Sequence, residues 1–127
     1  MKTTVSIARV LLGLLFLVFG LNGFLHFIPS PAPTGLAGQF LGAMFVSHYL
    51  SVVFALQVVA GALLLANRFV PAALTILAPL LVNIALFHAC LSPVGYAPAI
   101  FAVALWSLVF ASQRRVFLPL LASRSLA

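Results

Sequence analysis

The sequence predicts an all-α integral membrane protein, a four-helix transmembrane bundle with a short interfacial helix between spans 1 and 2. Three observations carry that expectation. Of 127 residues 65% are hydrophobic and the mean hydropathy is +1.33, too little polar surface to clothe a water-soluble domain. Two uncharged stretches, Val10 to Asn67 and Phe69 to Gln113, are parted only by Arg68. They hold 58 and 45 residues, and a helix needs about 20 apolar residues to cross a bilayer, so each has room for one span out and one back. All six basic residues (Lys2, Arg9, Arg68, Arg114, Arg115 and Arg124) then fall on one face. Lys and Arg tend to stay cytoplasmic, which puts both termini in the cytoplasm.

The elements follow in order within a single domain, residues 1–127. Span 1 is expected over about 5–28. Arg9 lies inside its cytoplasmic end, from where a long side chain snorkels to the headgroups. Gly13, Gly20 and Gly23 recur at helical spacings and let a neighbouring helix come close. The apolar run is too long for the core of a secretory signal and no small-x-small site follows it, so it is read as a retained span. Pro29, Pro31 and Pro33 remove amide donors and end the helix in an external connector. Over about 36–46, Phe40 with Met44 and Leu41 with Phe45 repeat at i,i+4, which predicts a short helix in the outer interface. Its Gly38-x-x-x-Gly42 spacing suits docking against a span.

Span 2, about 48–66, carries Gln57 near its middle, where an interhelical hydrogen bond is expected. Asn67 to Pro71 form a tight cytoplasmic turn with Pro71 at the first helical position. Span 3, about 71–90, contains Pro79, which frees a carbonyl and kinks the helix; in hydrocarbon, neighbours must satisfy that defect. Pro93, Gly95 and Tyr96 supply a second external turn. Span 4, about 98–113, has sixteen residues and reaches roughly 24 Å, short for a bilayer. Residues 114–127 are left as a cytoplasmic tail along the surface.

Composition excludes more chemistry than any motif suggests. There is no Asp or Glu, so a carboxylate acting as general base, proton relay or hard-metal ligand must come from a partner. The net charge of +6 sits at chain ends and in one turn. It is assigned to orientation and to contact of Lys2, Arg68, Arg114 and Arg115 with anionic headgroups of the lipid bilayer, and no nucleic-acid partner is expected, since that needs a clustered basic surface. Cys90, the only cysteine, has no intramolecular partner, which excludes an autonomous thiol relay. No catalytic motif is present, so the expectation leans to a chain that is not an enzyme by itself.

Folding the spans back and forth brings polar groups to the outer side: His26, His48 and His88, with Asn22 one turn below His26 and Asn83 deeper than His88. Taken singly, the histidines read as interface anchors and Asn22, Gln57 and Asn83 as interhelical hydrogen bonders. Taken together, His26, His48, His88, Asn22 and Asn83 are expected to line a ligand pocket beneath the interfacial helix. A quinone-like or lipid molecule suits such donors beside the chain's twelve Phe residues. A b-type haem held by His26, His48 or His88 ranks below it. A three-histidine metal site ranks last, because ligating histidines usually lean on carboxylates that this chain lacks. The competing expectation is a structural or accessory subunit that packs into a larger membrane complex through its glycines and apolar faces.

The ordered set Asn22-Gly-x-x-His26, Gln57-x-x-x-Gly61, Asn67-Arg-Phe69 and Pro79-x-x-x-Asn83-x-x-x-x-His88 resembles the DoxX-like family of small four-span bacterial membrane proteins, over nearly the whole chain. The resemblance implies a four-helix bundle in the bacterial inner membrane. It also implies association with redox chemistry, since some relatives are linked to thiosulfate and quinone chemistry or to oxidative-stress complexes. Many relatives carry an acidic residue in the fourth span, where this chain has Leu105-Trp106-Ser107. If an activity requires that acid, this chain acts beside a redox partner rather than alone.

Overall fold

Helix follows helix through residues 1–125, which the computed structural model describes: α1 (Lys2–Leu25), α2 (Gly35–Val46), α3 (Tyr49–Ala66), α4 (Val70–Cys90), α5 (Ala97–Ser112), α6 (Arg114–Phe117) and a final 3-10 turn, Leu118–Leu121. The last two residues of the expected tail lie outside the described residues. Helices α1, α3 and α4 are each long and apolar enough to cross a membrane. With 16 residues α5 falls short alone, and joins them only if counted with the α6 segment, from which it is bent by 78°. By length and composition the chain therefore has the helices of a multi-pass membrane protein, three or four in number.

The four long helices close a ring in which α1 packs on α3, α3 on α4, α4 on α5 and α5 back on α1, with the α1–α3 contact the most extensive. The core is a stripe of side chains along each helix: Leu12 and Phe16 of α1, Leu64 of α3, Leu74 and Leu77 of α4, Leu105 and Val109 of α5. The remaining faces are also apolar, for example Leu14, Val18, Val52, Val59, Val82 and Leu108, all exposed. A helix apolar on every side suits an apolar surround rather than water.

Glycine sets the α1–α3 spacing. A Cβ built on Gly61 would lie 2.6 Å from the Leu17 nitrogen and 2.8 Å from the Gly13 oxygen, backbone to backbone. Gly20 and Gly23 face Val58 and Phe54 in the same seam, which is the close approach expected of that series. The other glycine pair does not dock: a Cβ on Gly38 would meet only the Pro33 carbonyl of its own connector, and Gly42 faces open space. Helix α2 instead rests on α3 and sets Phe40 beside Phe87 of α4, ring centroids 6.0 Å apart.

Helix ends differ by a few residues from the expected ones, for local reasons. α1 stops at Leu25 because His26 turns left-handed (φ 53°), while the Asn22 side-chain oxygen accepts the Ile28 amide at 2.7 Å. Pro29 adds its bias against helical geometry at Ile28. α3 begins at Tyr49 after a second left-handed residue, His48 (φ 63°). It ends at Asn67 (φ 54°), where the Arg68 amide reaches the Leu63 carbonyl at 3.0 Å and the Asn67 amide the Leu64 carbonyl at 3.2 Å, a Schellman closure with Asn in place of Gly.

Arg9 joins that closure. Its guanidinium donates to the Leu64 carbonyl and, at 3.5 Å, to the Leu65 carbonyl. The last carbonyls of a helix carry partial negative charge, and a carbonyl that already takes one amide has a second lone pair to offer. Half-buried Arg9 is thus committed to α3, not merely reaching toward a headgroup. On α4, one residue before the Thr75 carbonyl that Pro79 deprives of its amide, Leu74 accepts the Trp106 indole N–H at 3.0 Å. Trp106 stacks on Phe110 and Phe110 meets Phe117, both at 4.8 Å. That ladder folds α6 across the basic end, where Val116, Leu118, Leu120 and Leu121 remain exposed beside Arg114 and Arg115.

Candidate functional site

The ring is not filled along its whole length. Toward the end that carries α2, a cavity of about 300 Å³ lies between α1, α3, α4 and the start of α5, at the small end of the range for small-molecule sites. Its walls are apolar and aromatic, chiefly Phe16 and Phe19 of α1, Phe54 of α3 and Ile84 of α4. Three polar side chains break this lining: Asn22, Gln57 and His88.

Each comes to the cavity by helical register. Asn22 stands one turn beyond Phe19 on α1, Gln57 one turn beyond Phe54 on α3, and His88 one turn beyond Ile84 on α4. Asn22 has spent its oxygen on the Ile28 amide, which leaves its NH2 group as a donor. The His88 ring holds Nδ1 at 3.1 Å from the Ser92 carbonyl. A carbonyl only accepts, so Nδ1 carries hydrogen there, and in the neutral ring Nε2 is an acceptor without a partner among the described residues.

Gln57 is the telling residue. Among the described residues it is the one buried polar side chain, 7% exposed, and its amide makes no hydrogen bond with any of them. Neither amide atom is sealed away from a solvent-sized contact, and the residue lines the cavity. A buried amide without a partner costs on the order of 1–3 kcal/mol. A bound group that supplies the missing partner recovers that cost.

The expected pocket set is redrawn by this geometry. Asn22 and His88 do meet at one cavity, but His26 and His48 are exposed at helix ends and do not line it. His26 leans on Phe45, ring centroids 6.3 Å apart, and His48 forms the corner between α2 and α3. Asn83 is exposed on α4, with its side-chain nitrogen donating to the Pro79 carbonyl at 2.9 Å. Five residues separate Asn83 from His88, about 140° around a helix, so the two cannot share a face. Among the described residues no group of three or more His and Cys lies together as a metal would require, and His88 alone brings an imidazole to the cavity. Lys2, Arg68, Arg114 and Arg115 are exposed at the opposite end of the bundle.

Sequence reasoning underrated Gln57 by giving it to interhelical packing, and overlooked the start of α5. The available signal was register: Phe54 with Gln57, and Ile84 with His88, repeat at helical spacing. No protein-family description, no curated protein and no solved structure matches this chain.

Proposed function

We propose that the chain is a four-span protein of the bacterial inner membrane, both termini cytoplasmic, that holds the ring of a quinone-like lipid in the cavity between α1, α3, α4 and α5. The observation that carries this reading is the buried Gln57 side chain, which lines an aromatic cavity and has no hydrogen-bond partner among the described residues. A neutral, largely apolar ring with oxygen substituents matches the lining, since Asn22 and Gln57 offer N–H donors and no charged residue is present there. A volume of about 300 Å³ suits one substituted ring and leaves an isoprenoid tail to the bilayer. The resemblance to the DoxX-like family supports the redox association. With no Asp or Glu side chain, electron and proton transfer falls to a partner complex, and this protein serves as holder.

The test is to purify the protein from bacterial membranes, extract it with organic solvent and measure isoprenoid quinones by mass spectrometry. A short-tail benzoquinone is then titrated onto the stripped protein. Near-stoichiometric quinone is expected from the native chain, with binding weakened at least tenfold in Gln57→Leu. That variant replaces an unpaired amide by an apolar group of similar size, so its fold should be no less stable, and lost binding cannot be put down to unfolding. No co-purifying quinone together with no saturable binding overturns the proposal. A stoichiometric protein partner found in its place favours the accessory-subunit reading, which the exposed apolar faces support.

A further inference from the structure

We infer that the cavity discriminates between oxidation states and takes the hydroxyl-bearing, reduced ring in preference to the oxidised one. The inference rests on the quinone-binding reading and deepens it. What carries it is the Ser92 carbonyl, 3.1 Å from His88 Nδ1. By accepting the Nδ1 hydrogen it fixes the neutral imidazole in one tautomer, whose other nitrogen, Nε2, has only a lone pair to offer. An acceptor lining a cavity is satisfied by a ligand O–H and by nothing that a carbonyl can supply. An oxidised quinone carries carbonyls alone, so it leaves Nε2 desolvated and unpaired, whereas a quinol hydroxyl donates to it. The other polar groups do not reverse this choice. The Asn22 NH2 donates to a ring oxygen in either state, and the Gln57 amide, with one donor group and one acceptor, is fully used only by a ligand that also has a hydrogen to give.

The route into the cavity fits a lipid of this kind. Of the lining residues, Phe19 is 40% exposed and Gly95 and Pro98 are also exposed. They belong to α1, to the turn before α5 and to the first turn of α5, so a tail carried by a ring held here can leave past these exposed residues.

The experiment compares a decyl-substituted benzoquinone with its quinol on the purified full-length protein in nanodiscs, under anaerobic conditions at pH 8, by equilibrium binding. The quinol is expected to bind about tenfold tighter, the factor one buried hydrogen bond supplies. In His88→Leu the ratio of the two affinities should shrink to less than about threefold. Equal affinities for the two forms, or tighter binding of the oxidised one, overturn the inference while leaving quinone binding intact. Failure of both forms to bind overturns the underlying reading instead. The wild-type comparison needs no variant, so the outcome does not depend on the folding of His88→Leu.

Discussion

Replacing Gly61 by Ala tests the α1–α3 seam directly. The added Cβ would stand 2.6 Å from the Leu17 nitrogen and 2.8 Å from the Gly13 oxygen, against the 3.4 Å at which ordinary contact begins. Both obstacles are backbone, so no side chain can rotate away, and α1 must withdraw by most of an ångström. A radial gap of 0.5–1 Å forfeits about a quarter to a half of the dispersion energy at each affected contact, and this is the most extensive helix pair in the bundle. In an apolar surround, packing is the main force between helices. Overpacking of this kind costs about 1–3 kcal/mol, and the rigid obstacles place Gly61→Ala near 3. Exchanging Gly for Ala in a helix returns about 1 kcal/mol, for a net loss of about 2. Gly42, with nothing within 4 Å of its Cβ position, supplies the control, and Gly42→Ala should be neutral or stabilising by up to about 1 kcal/mol. Thermal unfolding in one detergent, followed by circular dichroism, measures both. A Gly61→Ala protein as stable as the native chain would refute the proposed packing.

Three further outcomes follow from named contacts. Arg9→Leu removes the charged donor from the Leu64 and Leu65 carbonyls and should cost about 1–2 kcal/mol; no loss in the same unfolding assay would mean that Arg9 belongs to the solvent or headgroups. Trp106→Phe keeps an aromatic ring against Phe110 but deletes the indole bond to Leu74, for an expected loss of about 1 kcal/mol and a faster amide hydrogen exchange around Pro79. Cys90 is exposed at the end opposite the arginines, so an impermeant maleimide should label it only from the side opposite an N-terminal tag; labelling from the same side would refute the three crossings, α1, α3 and α4, that separate it from the N-terminus.

The helices were legible because they depend on gross patterning. Apolar runs of the right length, prolines between them and basic residues at alternate turns are long-range signals that no single contact can reverse. The glycine seam was legible for a related reason: Gly13, Gly20 and Gly23 mark one face before any partner is known. Helix ends were less so, since they hinge on single residues such as His26 and His48, which adopt left-handed geometry where Gly or Asn is the usual choice. The site was only half legible. Depth along the bundle correctly brought Asn22 and His88 to one level, but depth does not decide azimuth, and a step of 100° per residue turned Asn83 to the outside. Once the chain leaves the helix, even that rule lapses. His26 lies four residues after Asn22, yet the left-handed turn carries it out of the row.

The existence of a cavity at one end and solid packing at the other traces to side-chain size along α5. Its first half presents Ala97, Pro98, Ala99 and Ala102, and its second half Leu105, Trp106, Val109 and Phe110. Of the small set, Pro98, Ala99 and Ala102 face the space that Asn22, Gln57 and His88 line, while the large set completes the core with Leu74 and Leu77. If the opening is maintained for a ligand, filling it should strengthen the fold and weaken binding together. Half-buried Ala99 lines the cavity, and Ala99→Leu adds three carbons there. Because a membrane gives little hydrophobic reward for burial, the gain is dispersion against Phe19 and its neighbours, about 1 kcal/mol. The same atoms occupy room that a ring needs, so affinity for a short-tail quinol should fall more than tenfold. Opposite movement of the two quantities is the signature of a space kept open for use. A drop in stability with unchanged affinity would instead place Ala99 in ordinary packing and the ligand elsewhere.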